Sequence, residues 1–116
     1  MLDSKLAQAI AREEGFGIPG DLPTRNNNPG DLRHAPDETH PPGEPDAVGS
    51  FPTPEDGWAK LERQLSLYSE RGLTVQQMIE DCYAPPNEND SARYLANVCT
   101  WVGCTPQTLV RDALKL

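Results

Sequence analysis

The chain reads as an all-α or α-dominated domain, and three observations predict that class. After residue 53 the apolar residues return at helical spacing: Trp58, Leu61, Leu65 and Tyr68, then Val75, Met78 and Ile79, then Tyr94, Leu95, Val98 and Val102. Helix breakers crowd into the first half instead, where nine of the twelve prolines lie between Pro19 and Pro54. Only Ala47-Val48-Gly49-Ser50-Phe51 resembles a strand, so at most a short hairpin is expected beside about five helices and one long irregular loop. At 116 residues the chain has the length of a single domain, 1–116, with one modest core.

The first helix is expected from an Asp3 or Ser4 cap to about Glu14, with Leu2, Leu6, Ala9 and Ile10 as its apolar stripe. On a 3.6-residue period Glu13 falls near the middle of that stripe, whereas Glu14 lines up on the flank with Ala7, Ile10 and Ala11. A buried carboxylate is costly unless it is partnered or protonated, so whichever one faces inward has a reason to be there. Periodicity alone does not choose between them.

Little regular structure is expected from Gly15 to Pro52. Gly15, Gly17, Pro19, Gly20 and Pro23 break the helix directly after its carboxylates, leaving an acid at a helix end where a cleft can form. The polar tract Thr24-Arg25-Asn26-Asn27-Asn28-Pro29-Gly30-Asp31 follows, and each Asn side chain both donates and accepts. Such a surface suits a neutral polyhydroxylated ligand. For each Asn the alternative is a turn stabilised by Asx hydrogen bonds. Arg25 and Arg33 are either saccharide- or peptide-binding groups or ordinary surface arginines. The tract from Ala35 to Asp46, rich in proline and acid, reads as an exposed loop. His34 and His40 flank Asp37 and Glu38, but nothing in a proline-rich loop fixes ligand geometry, so solvated side chains and no metal are expected.

Helix grammar is clearer afterwards. Thr53-Pro54-Glu55-Asp56 supplies an N-cap, a first-turn proline and two acids favoured by the helix dipole, and Arg71-Gly72 closes that helix. Thr74 caps a short helix that Ala84-Pro85-Pro86 ends. Asn89 or Asp90 begins another, stopped by Gly103, and Thr105-Pro106 is expected to open a last helix to about Leu114. Cys82, Cys99 and Cys104, an odd count with no CxxC spacing, read as free, mostly buried thiols, with a disulfide joining two of them as the alternative.

Composition narrows the function classes. Mean hydropathy is −0.63 and no apolar run approaches the ~20 residues of a span, so membrane insertion is not expected. A net charge of −8 disfavours nucleic acid and anionic membranes as partners. The polar start, Met1 to Lys5, carries no apolar export segment, so synthesis in the cytoplasm is expected.

Several blocks, in order, resemble a known group. Glu14-Gly15-Phe16 followed by Pro23-Thr24-Arg25-Asn26-Asn27-Asn28-Pro29-Gly30-Asp31-Leu32-Arg33 is similar to the N-terminal signature of lysozyme-like proteins of phages and bacteria, distant relatives of lytic transglycosylases and goose-type lysozymes. Val48 to Trp58 and Ala84 to Leu95 continue the likeness. The resemblance implies a lysozyme-like fold and cleavage of the β-1,4 bond between N-acetylmuramic acid and N-acetylglucosamine in peptidoglycan. It implies Glu14 as the catalytic acid, with Glu13 structural or exposed. It also implies a substrate groove drawn from Phe16, Arg25, Asn26, Asn27, Asn28, Asp31 and Tyr94. Tyr94 resembles the tyrosine that transglycosylases place near the acid; otherwise it is a helix-face core aromatic. Trp58 and Trp101 read as core or cleft wall. A second carboxylate would have to come from Asp31, Glu55 or Asp56. Without one, the substrate's own acetamido group or its 6-hydroxyl would complete the reaction, the first favouring hydrolysis and the second an anhydro product. No cofactor is implied. The expected partner is a glycan strand bound by a monomer, reached by phage-type release, by carriage in a virion or as part of a larger protein. The rival class is a non-catalytic lysozyme-like module that keeps the groove without turnover. A protein-interaction module using the 36–45 loop is a third.

Overall fold

The structure, a computed structural model, describes residues 3–33, 35, 39, 40, 42, 43, 48–84 and 90–116. Leu2, His34, Asp37, Glu38, Ala47, Pro85, Pro86 and Asn89, all named above, lie outside the described residues. Helices dominate, and no sheet forms among the described residues. In chain order they are α1 (Lys5–Glu14), α2 (Leu22–Arg25), α3 (Pro54–Glu70), α4 (Val75–Met78), which runs on as a π-helical turn over Ile79–Tyr83, α5 (Ser91–Val102) and α6 (Val110–Ala113). None of the helices among the described residues is long and apolar enough to cross a membrane.

Ser4 caps α1: its Oγ accepts the Ala7 N–H at 3.1 Å and donates to Glu62 Oε1 at 2.7 Å. One hydroxyl thus starts α1 and ties it to α3. Thr53 caps α3 through the Asp56 N–H, Asp90 caps α5 through the Arg93 N–H, and Thr74 with Gln77 forms a reciprocal capping box on α4. The core is the sum of the apolar stripes. Leu6 and Ile10 of α1, Leu61 and Leu65 of α3, Val75 and Met78 of α4, Val98 of α5 and Val110 of α6 are fully enclosed. Each such side chain contributes about 1.5–3 kcal/mol by leaving water. The thiols are free: Cys82 is exposed, Cys99 buried and Cys104 half-buried.

The chain's end departs from expectation. Thr105-Pro106 opens no helix, because that segment is drawn across the start of α4. The carbonyls of Pro106 and Thr108 accept the Gln76 and Val75 N–H groups at 3.1 and 2.8 Å, and Val110 N–H reaches the Leu73 carbonyl at 2.9 Å. A helix start has N–H groups without intrahelical partners, and here a distant loop supplies their acceptors. α6 is accordingly confined to Val110–Ala113.

The loop between α1 and α3 holds more structure than expected. It contains α2, with Pro23 in its first turn, while the anticipated hairpin is reduced to one antiparallel bridge between Thr39 and Ser50. Its fastening comes from the three asparagines. The Asn26 carbonyl accepts the Phe51 N–H at 2.9 Å, and Asn27 Nδ2 donates to the Phe51 carbonyl at 3.0 Å. Asn28 is fully enclosed; its Nδ2 donates to the carbonyls of Leu32 and Gly49, both at 2.8 Å, and its Oδ1 accepts the Leu32 N–H at 2.9 Å. α3 then closes on this loop at Gly57, where a Cβ would stand 1.9 Å from the Asn27 carbonyl oxygen and 2.7 Å from Pro29 Cδ. No side chain fits there. Gly57→Ala is therefore expected to destabilise the fold by about 2–3 kcal/mol although alanine is the better helix former, as urea unfolding would measure.

Candidate active site

α1 ends directly after Glu14 because Gly15 takes a left-handed conformation, φ +91°. The Phe16 N–H then reaches back to the Ala11 carbonyl at 2.9 Å and the Gly15 N–H to the Arg12 carbonyl at 3.2 Å, a Schellman closure. A Cβ on residue 15 would lie 2.6 Å from Asp21 Oδ2, a second reason for glycine. Both carboxylates at this end are half-buried, but they differ in surroundings. Glu13 faces α5 and accepts a hydrogen bond from Asn97 Nδ2 at 3.1 Å. Glu14 is pushed up from 4.5 to about 8, first by burial, then by the charges of Asp31 and Glu13, with Arg33 opposing.

Asp31 is the second carboxyl of the site. The turn begun at Asn28 holds it at φ +53°, a left-handed conformation that aspartate tolerates better than most side chains. Its Oδ1 is buried without a hydrogen-bond partner among the described residues. Burial raises its pKa and Arg33 lowers it. Asp31's charge is one of the causes that raise Glu14, so an ionised Asp31 makes Glu14 hold its proton more firmly. Glu55 and Asp56, the other two acids considered for this role, sit exposed in the first turn of α3.

Tyr94 joins the same cluster. It is buried in α5 with its hydroxyl unpartnered among the described residues, and its pKa is driven up by burial and then by the charge of Glu14. Tyr83, which the sequence did not single out, stacks on Tyr94 with ring centroids 6.4 Å apart and meets Tyr68 edge-on at 6.1 Å. The π-helical turn carries it there. Neither periodicity nor a motif marks that position, although such turns recur at functional sites.

The remaining candidates divide. Asn28 makes three internal hydrogen bonds and is fully enclosed, so it is no open amide surface, while half-buried Asn27 commits its Nδ2 to the Phe51 carbonyl. Both are loop fasteners instead, because the carbonyls of a loop without a sheet need donors. Asn26 is half-buried and takes part through its backbone. Phe16 is half-buried and packs edge-on against Trp58 at 5.4 Å, fixing the chain after Glu14 to α3. Arg25 is exposed at the end of α2, and Arg33 is exposed while acting on both carboxyls. His40 is half-buried, its Nε2 2.8 Å from the Arg33 carbonyl, rather than solvated.

A raised carboxyl makes stability depend on pH. Between pH 4.5 and about 8 the folded chain holds a proton that the unfolded chain releases. Glu14's contribution is therefore complete below 4.5 and is lost as pH rises through about 8. Glu14→Gln, which keeps the neutral shape, is expected to match wild type at pH 4 and exceed it at pH 9 by about 2–4 kcal/mol, read from urea unfolding across pH. No protein-family model, curated protein or solved structure matches the chain.

Proposed function

We propose that the chain cleaves peptidoglycan as a muramidase or lytic transglycosylase, with Glu14 as general acid on the β-1,4 bond between N-acetylmuramic acid and N-acetylglucosamine. The observation that carries this is a division between a carboxyl that keeps its proton, Glu14, pushed up to about 8 chiefly by burial, and a second acid, Asp31, whose charge acts on it. Glycoside cleavage needs that division: one group delivers a proton to the leaving oxygen, while an anion faces the positive charge growing on the sugar. The ordered likeness of Glu14-Gly15-Phe16 and the blocks after it to lysozyme-like proteins supplies the substrate class.

In this mechanism Glu14 protonates the glycosidic oxygen as the bond to C1 breaks. Asp31, half-buried and with its Oδ1 unpartnered among the described residues, stabilises the cationic sugar or the acetamido group that attacks it. Water, giving its proton to the Glu14 carboxylate, then attacks C1 to leave a reducing end; the muramyl 6-hydroxyl, deprotonated in the same way, leaves an anhydro end. The Tyr94 hydroxyl, buried and unpartnered among the described residues, belongs to the wall behind Glu14.

One observation favours the non-catalytic rival. Net charge −8 gives no long-range attraction to an anionic polymer, so a glycan-binding module that never turns over is the second reading. Clearing of purified peptidoglycan in a zymogram decides between them. Wild type is expected to clear and Glu14→Gln to lose at least about 10²-fold in rate. That loss accompanied by equal or greater stability separates chemistry from folding. Clearing that survives Glu14→Gln, or binding without clearing by wild type, defeats the glycosidase. The rate is expected to fall about tenfold per pH unit above about 8, as Glu14 ionises, and Asp31→Asn to remove the acidic limb of the profile. Mass spectrometry of the fragments assigns reducing or anhydro ends.

A further inference from the structure

α1 has a second working face. Positions 5, 8, 9 and 12 share one side of a 3.6-residue helix, and position 14 lies nearly opposite. Lys5, Gln8, Ala9 and Arg12 line an open cleft of about 340 Å³ whose other wall is Trp101 of α5. The Arg12 guanidinium lies over the Trp101 ring, 4.1 Å from its centroid. That stacking fixes the plane of the guanidinium while leaving its N–H edge for a ligand. Gln8 is anchored by donating to the Asp3 carbonyl at 2.8 Å.

The charge here is anomalous. The chain has 18 acidic and 10 basic residues, so its cations have carboxylates in excess to choose from. Yet neither Lys5 nor Arg12 forms an ion pair among the described residues. Two cations on one face with no ion pair among the described residues, beside an aromatic wall, make a candidate anion site on an acidic protein. Seven residues of helix separate them by about 10 Å along the axis. A peptide in polyproline II conformation puts residues i and i+3 on one side about 9 Å apart.

We propose that this cleft binds a peptide through two carboxylates three residues apart, one on the Arg12 fork and one on the Lys5 ammonium, with the intervening chain against Ala9 and Trp101. If the glycosidase reading holds, the carboxylates of peptidoglycan stem peptides are the chemistry that reaches this site; that identification rests on the preceding proposal, while the diacid specificity does not.

The probe is acetyl-Glu-Ala-Ala-Glu-amide, with acetyl-Gln-Ala-Ala-Gln-amide as its neutral control, titrated into the full chain and followed by calorimetry and by the indole N–H resonance of Trp101. Saturable binding of the acidic peptide is expected, with a shift at Trp101, weakening as salt rises. Arg12→Gln and Lys5→Gln, both on an exposed helix face, should each weaken it about tenfold. Arg12→Lys should recover only part of the loss, because the flat fork is gone. Equal binding of the two peptides, binding indifferent to Arg12→Gln, or no binding at low salt overturns the proposal. Glu14→Gln should bind the peptide as wild type does. Clearing without peptide binding defeats this cleft alone, and peptide binding without clearing defeats the glycosidase alone. Muropeptides with free or amidated stem carboxylates then test the stem identification: preference for the free form supports it and indifference removes it.

Discussion

One buried amide, that of Asn28, brings the two carboxyls of the site together. Its three hydrogen bonds join the start of the turn to Leu32 on one side and to Gly49 on the other. Each adds only about 1 kcal/mol net, but removal of the amide would leave the Gly49 carbonyl and the Leu32 N–H without these partners, while the Leu32 carbonyl keeps the Gly49 N–H. Asp31 lies inside the span that the clamp closes, and its left-handed conformation is a consequence of that closure. Gly57 completes the arrangement by letting α3 press directly on the Asn27 backbone. Position 31 is therefore set by the loop's own hydrogen bonds, position 14 by the Schellman end of α1, and the packing of α3 on both holds them in register.

The cost of this arrangement falls on the carboxyls. Burial disfavours the ionised form of each, and proximity makes ionisation of the second harder than that of the first. A fold optimised for stability alone would not place two acids and an unpartnered tyrosine hydroxyl in one partly enclosed cluster. Buried polar atoms are paired in the great majority of cases, so Asp31 Oδ1 and the Tyr94 hydroxyl, unpartnered among the described residues, add to the cost of the cluster. The core formed by Leu6, Ile10, Leu61 and Leu65 offsets the penalty from beneath.

Much of the helical framework was legible because its signals are local. Ser4, Thr53, Thr74 and Asp90 announce helix starts by side-chain chemistry acting three residues away, and Gly15 and Gly103 announce ends by their freedom at positive φ. α6 was misplaced because the residues that decide it, Leu73 to Gln76, are some thirty positions away in sequence. The asparagines mark a different limit. Composition revealed amide donors and acceptors but not their direction, and for Asn28 the direction was inward. Periodicity set Glu13 nearer the apolar stripe, yet Asn97 meets Glu13 while Asp31 and burial act on Glu14, which no wheel drawn for α1 alone could reveal. Asp31 and Tyr83 likewise owe their importance to neighbours from other segments.

The acidity of the whole chain and the chemistry proposed for it conflict only at long range. At physiological ionic strength fields fade over about 8 Å, so a ligand in contact responds to the groups it touches rather than to a total of −8. At the Glu14 end the local charge is milder than the count of carboxyls implies, since Glu14 stays protonated near neutrality and Arg33 acts on both acids. On the opposite side of α1, Lys5 and Arg12 present positive charge with no carboxylate opposing them among the described residues. A single ten-residue helix thus separates a neutral acid from a cationic edge by half a turn of its wheel. An anionic, sugar-bearing polymer would meet repulsion on approach and find neutral or complementary contacts only in specific poses. Such a surface favours selectivity over capture rate.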